Sequence, residues 1–409
     1  MLVKKYLIVI IFLLAAGVRF YDYSDRVIFW SEQARSLITS ANYVDEKFSL
    51  LGQEYFRQDS NFHTMFSGAT FNYLLVPFLY ITKFDPIGIT FFFTLLNLFT
   101  GFMVYWVAKK IFNQKIAIIS LILFLFNSYM IYHSLFIWNY NLLPLVGVIA
   151  FYLAYLFLKK QKFQSLFWLG LVCGFGVSLQ VLFTPILIGV CAFVILNSKQ
   201  KVLTGLIFAI GSIVGNLPMV LFDLRHDFYH FRTLSQYLLD SLAGKSDAGF
   251  SYYYLLPFWG VGAIFLGKLV SNFNKKILAF FIILYLFINL SPNGGLQSKI
   301  LIQRPVLTAR DLNEISNIIS LDAPKSFNVA STLDFDKRAY ALRYLLKYRY
   351  SKEVEPIDFY PRTQTLFVLS EKDYNFNESD VWEIKSNWPY RVSKLQDISN
   401  KYVLYKLTK

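Results

Sequence analysis

The sequence predicts a polytopic α-helical membrane protein of about nine transmembrane helices with a C-terminal extracytoplasmic α/β domain. Three observations carry this. Of 409 residues, 56% are apolar and only 16% charged, against roughly 25% charged in a soluble domain. Uncharged stretches long enough to cross about 30 Å of hydrocarbon recur along the chain. The lysines fall in clusters between alternate stretches, the pattern that sets orientation in a bilayer.

Ile87 to Ala108, Val202 to Phe222, Ala248 to Gly267 and Ile277 to Ser298 each carry no charge, and each reads as one span. Ile116 to Leu158 has His133 as its one basic residue and is broken at Trp138-Asn139-Tyr140-Asn141 and Pro144, so it reads as two spans. Phe163 to Ser198, interrupted at Gln180 and Thr184-Pro185, reads as a second hairpin of spans. With Tyr6 to Val18, taken as an uncleaved first span rather than a secretory signal, the count is nine. Lys4, Lys5, Lys109, Lys110, Lys115, Lys159, Lys160, Lys162, Lys199, Lys201, Lys275 and Lys276 then share one face. That face is expected to be cytoplasmic, with the N-terminus on it. The +14 net charge is explained by orientation and anionic headgroups, with no need of nucleic acid. The chain is placed in a bacterial inner or plasma membrane.

Phe71 to Ile81 is too short to cross and would reverse the lysine pattern, so a re-entrant or interfacial helix is expected there. The transmembrane domain is expected to run over 1–296, including a first extracytoplasmic loop at 20–86. A loop of that length is usually functional. The second polar region, 297–409, is long enough for a domain of its own. Thr308 and Asp311 form a capping box before Leu312, Ile315, Ile318 and Ile319. Phe327 to Ala330 reads as extended and Asp336 to about Tyr348 as an amphipathic helix. Thr365 to Leu369, Val381 to Ile384 and Tyr402 to Leu407 also read as extended.

The two cysteines, Cys173 and Cys191, both lie in predicted spans, which excludes a disulfide framework. CxxC, HExxH, a Walker loop and GxGxxG after a strand are all missing from the sequence. No cofactor is indicated. A divalent metal is left open, with no motif that calls for one.

Glu32 lies just beyond the first span among aromatic residues, where partial desolvation raises a carboxyl pKa toward a useful general base. The competing reading is a surface helical pair with Arg35, three residues on. Arg225 and His226 close the span that ends at Phe222 and suit a lipid phosphate, while an Arg there also serves as a plain interfacial anchor. Arg57 and Lys83 are further cations of the first loop. Trp138, Asn139 and Asn141 offer an aromatic plane and amides for sugar hydroxyls, although a turn recruits Asn for its own backbone. His63 can assist proton transfer or stay simply solvated. For His133 a helix-to-helix hydrogen bond is the plainer role.

The stretch from Arg19 to Gly52, with Phe29-Trp30-Ser31-Glu32-Gln33-Ala34-Arg35 and Leu50-Leu51-Gly52, resembles the first loop of the GT-C membrane glycosyltransferases. It is most similar to the family 39 branch, which includes protein mannosyltransferases and the aminoarabinose transferases of lipid A. The pattern continues at Phe71-Asn72-Tyr73-Leu74-Leu75-Val76-Pro77, Phe84-Asp85-Pro86, Ile137-Trp138-Asn139-Tyr140-Asn141-Leu142-Leu143-Pro144 and Phe222-Asp223-Leu224-Arg225-His226-Asp227-Phe228. The resemblance covers most of residues 1–235. It implies a membrane enzyme that moves a sugar from a polyprenyl-phosphate donor to a glycan, lipid or protein acceptor on the outer face. It implies a first-loop catalytic carboxylate at Glu32. The family's Asp followed by Glu is here Glu32-Gln33, and Gly-Pro-Leu-Tyr-Tyr-Tyr is here Gly68-Ala69-Thr70-Phe71-Asn72-Tyr73.

The resulting expectation is an inverting glycosyltransferase with Glu32 as base. Arg225, His226, Arg57 and Lys83 would hold donor phosphate, and Arg35, Trp138, Asn139, Asn141 and His63 sugar or acceptor. The rivals are a lipid-linked sugar flippase or carrier and an inactive scaffold of an envelope glycan complex. A carrier should place paired ionisable groups at mid-membrane, whereas here the carboxylates gather outside the spans.

Overall fold

A computed structural model describes residues 2–45, 48–58, 61, 63–245, 251–291, 307–333 and 336–409. The elements follow from where apolar runs meet helix stops. Helix α1 (Leu2–Phe20) is the first apolar run, and α2 (Ser31–Asp45) opens after the extended Val27 to Trp30. An antiparallel hairpin follows, β1 (Leu51–Gln58) with β2 (Thr64–Gly68). Next come α3 (Thr70–Ile81) and α4 (Pro86–Ile111), separated by a reversal in which Lys83 and Phe84 take left-handed φ of 52° and 60°. Helices α5 (Gln114–Leu125) and α6 (Ser128–His133) start on Asn113 and Asn127, whose side chains accept from Ile116 and Met130 N–H.

A 3-10 turn at Asn139–Leu142 leads into α7 (Leu143–Lys160). Helices α8 (Phe163–Leu179) and α9 (Thr184–Leu196) form the next pair, with Pro185 in the first turn of α9 where its missing N–H costs nothing. Then come α10 (Lys201–Gly215), α11 (Leu217–Arg225), α12 (Tyr229–Leu242), α13 (Leu256–Val270) and α14 (Lys275–Leu290). The remainder is α15 (Ala309–Asp322), β3 (Asn328–Ser331), α16 (Tyr340–Tyr350), β4 (Thr365–Glu371), α17 (Trp382–Lys385), β5 (Arg391–Asp397) and β6 (Tyr402–Thr408).

Among the described residues three helical stretches are long and apolar enough to cross a membrane: Pro86–Ile111, Asn139–Lys160 and Tyr252–Val270. The predicted single span at 202–222 is instead two helices, α10 and α11, bent by 86° at Asn216 with Pro218 just beyond. Proline lacks the N–H that would continue the ladder, so the break follows from sequence. Asn127 likewise interrupts the first half of 116–158, its side chain capping a new helix rather than facing lipid. Several expected crossings are therefore shorter apolar helices, including α5, α8 and α9, while α3 is the short helix expected at 71–81. The predicted spans at 248–267 and 277–298 and the boundary at 296/297 fall partly outside the described residues.

The chain separates into two compact units. The first holds residues 1–21, 42–76 and 91–303, and the second holds 22–41, 77–90 and 304–409. In the first unit α8 and α10 pack backbone against backbone: a Cβ on Gly170 would stand 2.2 Å from the Phe208 carbonyl oxygen, and one on Gly174 2.0 Å from that of Ser212. Gly211 and Gly215 make the reciprocal approach to the Phe167 and Leu171 carbonyls. Small residues spaced by four are how apolar helices come this close. Arg19, fully buried at the end of α1, donates from Nη2 to Asn97 Oδ1 at 2.8 Å and from Nη1 to the Ala15 carbonyl at 3.1 Å.

The second unit contains a four-stranded sheet in the order β3-β4-β6-β5, with β3 and β4 parallel and the other pairs antiparallel. Helix α16 is the crossover between the parallel strands. Every residue of β3 is buried, as are Thr365 to Ser370 of β4, as for strands covered on both faces. Ala330, Leu366, Val368 and Leu407 form one core with Tyr360, Phe376 and Ile384. The capping box at Thr308 and Asp311 forms as expected. The predicted strand at Val381–Ile384 is instead the one-turn helix α17, since a short apolar run has no period to separate the two. The predicted helix from Asp336 begins only at Tyr340, because Ala339 takes a left-handed φ of 50°.

Segments 22–41 and 77–90 belong to this unit through specific bonds. Ala309 N–H donates to the Val27 carbonyl at 3.1 Å, and Arg310 pairs with Asp25 at 3.4 Å. Tyr344 Oη donates to the Phe84 carbonyl at 2.9 Å, Phe84 stacks on Tyr348 at 5.2 Å, and Arg349 pairs with Asp85 at 2.6 Å. These contacts secure the left-handed reversal at Lys83 and Phe84.

Candidate functional site

Glu32 is the second residue of α2, in the second unit. It keeps an open face to solvent while the protein crowds the rest of the side chain. That crowding raises its carboxyl pKa by desolvation, and Arg35 one turn on offsets part of the rise. The neighbouring Gln33 is buried and turns back to accept the Trp30 N–H on Oε1 at 3.0 Å. This is the reach-back half of a capping box, which a neutral amide performs as well as a carboxylate. One turn of helix therefore carries a structural amide and a solvent-facing acid side by side. Arg35 lies over the Tyr340 ring at 5.7 Å. Lys83, also in this unit, is exposed.

In the first unit His133 Nδ1 shares a hydrogen bond with Asn141 Oδ1 at 2.7 Å, and Asn141 Nδ2 donates to the Phe136 carbonyl at 2.8 Å. Asn139 Nδ2 donates to the Leu179 carbonyl at 2.5 Å. The two amides thus hold the turn before α7, as turn chemistry favours. Trp138 is half-buried, stacked parallel to His133 at 5.9 Å and packed on Tyr140 at 4.2 Å and Tyr253 at 5.1 Å. Gln180 links Tyr140 and Tyr55, accepting from Tyr55 Oη at 2.5 Å. The arrangement is a rigid aromatic shelf edged with hydroxyls, suited to stacking against a sugar ring.

Arg225 ends α11, is exposed, and makes no ion pair or side-chain hydrogen bond among the described residues. His226 is occupied locally, with Nδ1 on the Phe222 carbonyl at 2.8 Å and its ring stacked on Phe222 at 4.2 Å. His63 lies edge-on to Tyr229 at 5.8 Å. With Asn61, Arg232, Thr233 and Gln236 these two rings line a polar cavity of about 370 Å³. Arg57 is on β1, and its side chain lies outside the described residues. No group of three or more His, Cys, Asp or Glu side chains placed to hold a metal occurs among the described residues.

The family model for dolichyl-phosphate-mannose-protein mannosyltransferase matches residues 68–222. No curated protein matches the sequence. Among solved structures the chain is similar to ArnT from Cupriavidus metallidurans bound to undecaprenyl phosphate, with a TM-score of 0.61 over 98% of both chains at 10% identity. Apo ArnT from the same organism gives 0.60 over the same shares at 11% identity. This protein has the GT-C glycosyltransferase fold. The oligosaccharyltransferase of Archaeoglobus fulgidus, in complex with zinc and sulfate, is also similar: TM-score 0.50, 9% identity, covering 89% of this chain and 67% of that one.

In this fold several groups at the candidate sites escape sequence reasoning. Arg232 is one, a cation lining the polar cavity whose only signal is its place on an amphipathic helix. Asp336 is another, a buried carboxylate beside the first turn of α16. The Tyr55, Gln180 and Tyr253 contacts join residues more than a hundred positions apart and leave no local trace.

Proposed function

We propose that this chain transfers a sugar from a polyprenyl-phosphate donor to an acceptor hydroxyl on the extracytoplasmic face, with inversion at C1. The observation that carries the reading is the likeness, over 98% of both chains, to ArnT bound to undecaprenyl phosphate, joined to a solvent-facing carboxyl of raised pKa at Glu32. The N-terminus is assigned to the cytoplasm, and the first loop at 20–86 and the domain at 297–409 to the outer side, on the lysine pattern.

In this mechanism Glu32 takes the acceptor hydroxyl proton as the acceptor oxygen bonds to C1. The bond from C1 to the phosphate oxygen breaks in the same in-line displacement, and polyprenyl phosphate departs. General-base assistance of this kind contributes about 10²–10⁴ in rate. Arg225, with Lys83, Arg57 and His226, is assigned to the departing phosphate, where charge-assisted bonds are worth most. Trp138 is assigned to the sugar face on the shelf that Asn139 and Asn141 hold in place. Arg35 and His63 are assigned to acceptor contacts.

Transfer of radiolabelled sugar from a panel of polyprenyl-phosphate sugars in proteoliposomes tests this. The wild type should transfer, and Glu32→Gln should lose about 10²–10⁴ of the rate with donor binding kept. Full activity in Glu32→Gln removes the base assignment. Donor binding without transfer in either protein favours a flippase or a scaffold, and a flipping assay separates those two.

A further inference from the structure

We propose that Asp336 is a positioning residue for transfer, clasping the first turn of α2, and so Glu32, to the first turn of α16. The inference rests on Glu32 being the base. All the groups involved belong to the second unit.

Helix α16 starts without a side-chain cap, because Ala339 at its N-cap position has none to offer. Asp336, three residues upstream, supplies it: Oδ1 accepts Tyr340 N–H at 2.9 Å and Oδ2 accepts Ala341 N–H at 3.2 Å. The Ser31 hydroxyl also favours the charged form of this carboxylate, and Asp336 and Trp30, which precedes Ser31, line one small cavity. Ser31 is the first residue of α2, and Glu32 is the next. One carboxylate therefore serves the starts of two helices, whose partial positive charges both favour it.

Two further contacts, from either side of Glu32 in sequence, join the start of α2 to α16. Arg35 lies on Tyr340, and Phe29 meets Tyr344 edge-on at 5.5 Å. A cavity of about 20 Å³ under this junction is lined by Trp30, Ser331 and Asp336, room for roughly one water. Asp336 is only 8% exposed, and burial holds its pKa at about 6 despite the bonds it accepts and the nearby Arg343. Burying a carboxylate is unfavourable, and a neutral N-cap such as Ser or Asn would cap α16 alone without that cost. What the carboxylate adds is the second helix.

The test compares wild type, Ser31→Ala, Asp336→Ala, Asp336→Asn and Glu32→Gln in the proteoliposome transfer assay, measuring kcat and donor KM across pH. Misplacing a catalytic group by about 1 Å is worth on the order of 10²-fold. Asp336→Ala is expected to lose about 10–100-fold in kcat with donor KM within about twofold. The acid limb of its pH profile should stay in place, since the base itself is intact. Asp336→Asn, which keeps an acceptor, should recover part of the loss. Adding Ser31→Ala to Asp336→Ala should cost nothing more, because both cut one link. Wild-type kcat in folded Asp336→Ala overturns the proposal. If that variant does not fold, Ser31→Ala decides, since it leaves the α16 cap untouched: reduced kcat supports the clasp and unchanged kcat overturns it. Full activity in Glu32→Gln defeats the base reading itself. Inactive Glu32→Gln beside fully active Ser31→Ala defeats the clasp alone.

Discussion

Glu32 and Gln33 are consecutive, yet one faces solvent and the other is buried against its own helix start. Successive side chains on a helix diverge by about 100°, so adjacency in sequence does not make a catalytic pair here. The neutral residue at 33 is accounted for by the bond it makes to Trp30. For Glu32 the consequence is a pH dependence. Its pKa lies above the ordinary carboxylate value, and in the proposed mechanism the ionised form is the base. Transfer should therefore fall as pH drops through a midpoint above the usual carboxylate range, and Glu32→Gln should lack that limb. A pH–rate profile of kcat measures it, and an acid limb at the ordinary value of about 4.3 would contradict the desolvation. Arg19 shows what residue-level reading misses. It looks like an interfacial anchor, but it is fully buried and bonded to Asn97, which in turn donates to the Met130 carbonyl at 3.2 Å. Whether an arginine snorkels or folds inward depends on a partner 78 positions away, and nothing local encodes that.

Among elements, the helices were largely legible, because an apolar run with a stop at each end is a local signal. Breaks were less so: Asn216 and Asn127 look like single polar residues within spans, although Asn216 ends one helix and Asn127 starts another. The hairpin at 51–68 and strand β5 carry too few apolar alternations to stand out, and β5 is exposed along most of its length. The α8–α10 contact was written plainly, as glycines four apart on two helices, and needed only the pairing to be known. It supports a direct prediction. Gly174→Val places methyl groups where the Ser212 carbonyl already stands 2.0 Å from a Cβ. Overpacking of this kind costs about 1–3 kcal/mol, so the unfolding temperature in detergent should fall by several degrees. Gly189→Val is the control, because that position has open space. Equal melting of the two variants would contradict the close approach.

Over the whole molecule, the sequence pattern suggests a membrane part followed by an outer domain, whereas the compact units interleave. Residues 22–41 and 77–90 pack with 304–409, and contacts between such distant stretches leave no periodic trace. A fragment of 304–409 alone would lose the Val27 bond to Ala309 and the packing of Phe29 and Phe84 on α16. Expressed alone, it should be loosely packed, with broad amide resonances. Co-expression with 22–41 and 77–90 fused by linkers should sharpen them. A well-dispersed spectrum from the fragment alone would show that those segments are dispensable.

The clasp on α2 also sets an order in time. Ser31 leaves the ribosome roughly 15–60 s before Asp336, at about 5–20 residues per second. Through that interval the nascent α2 start has neither the carboxylate nor the aromatic face it will pack on. A chain interrupted anywhere before α16 would carry Glu32 without its scaffold. The membrane thus never holds a half-made protein with its acid already in place, and the setting of the proposed base is among the last parts to be assembled.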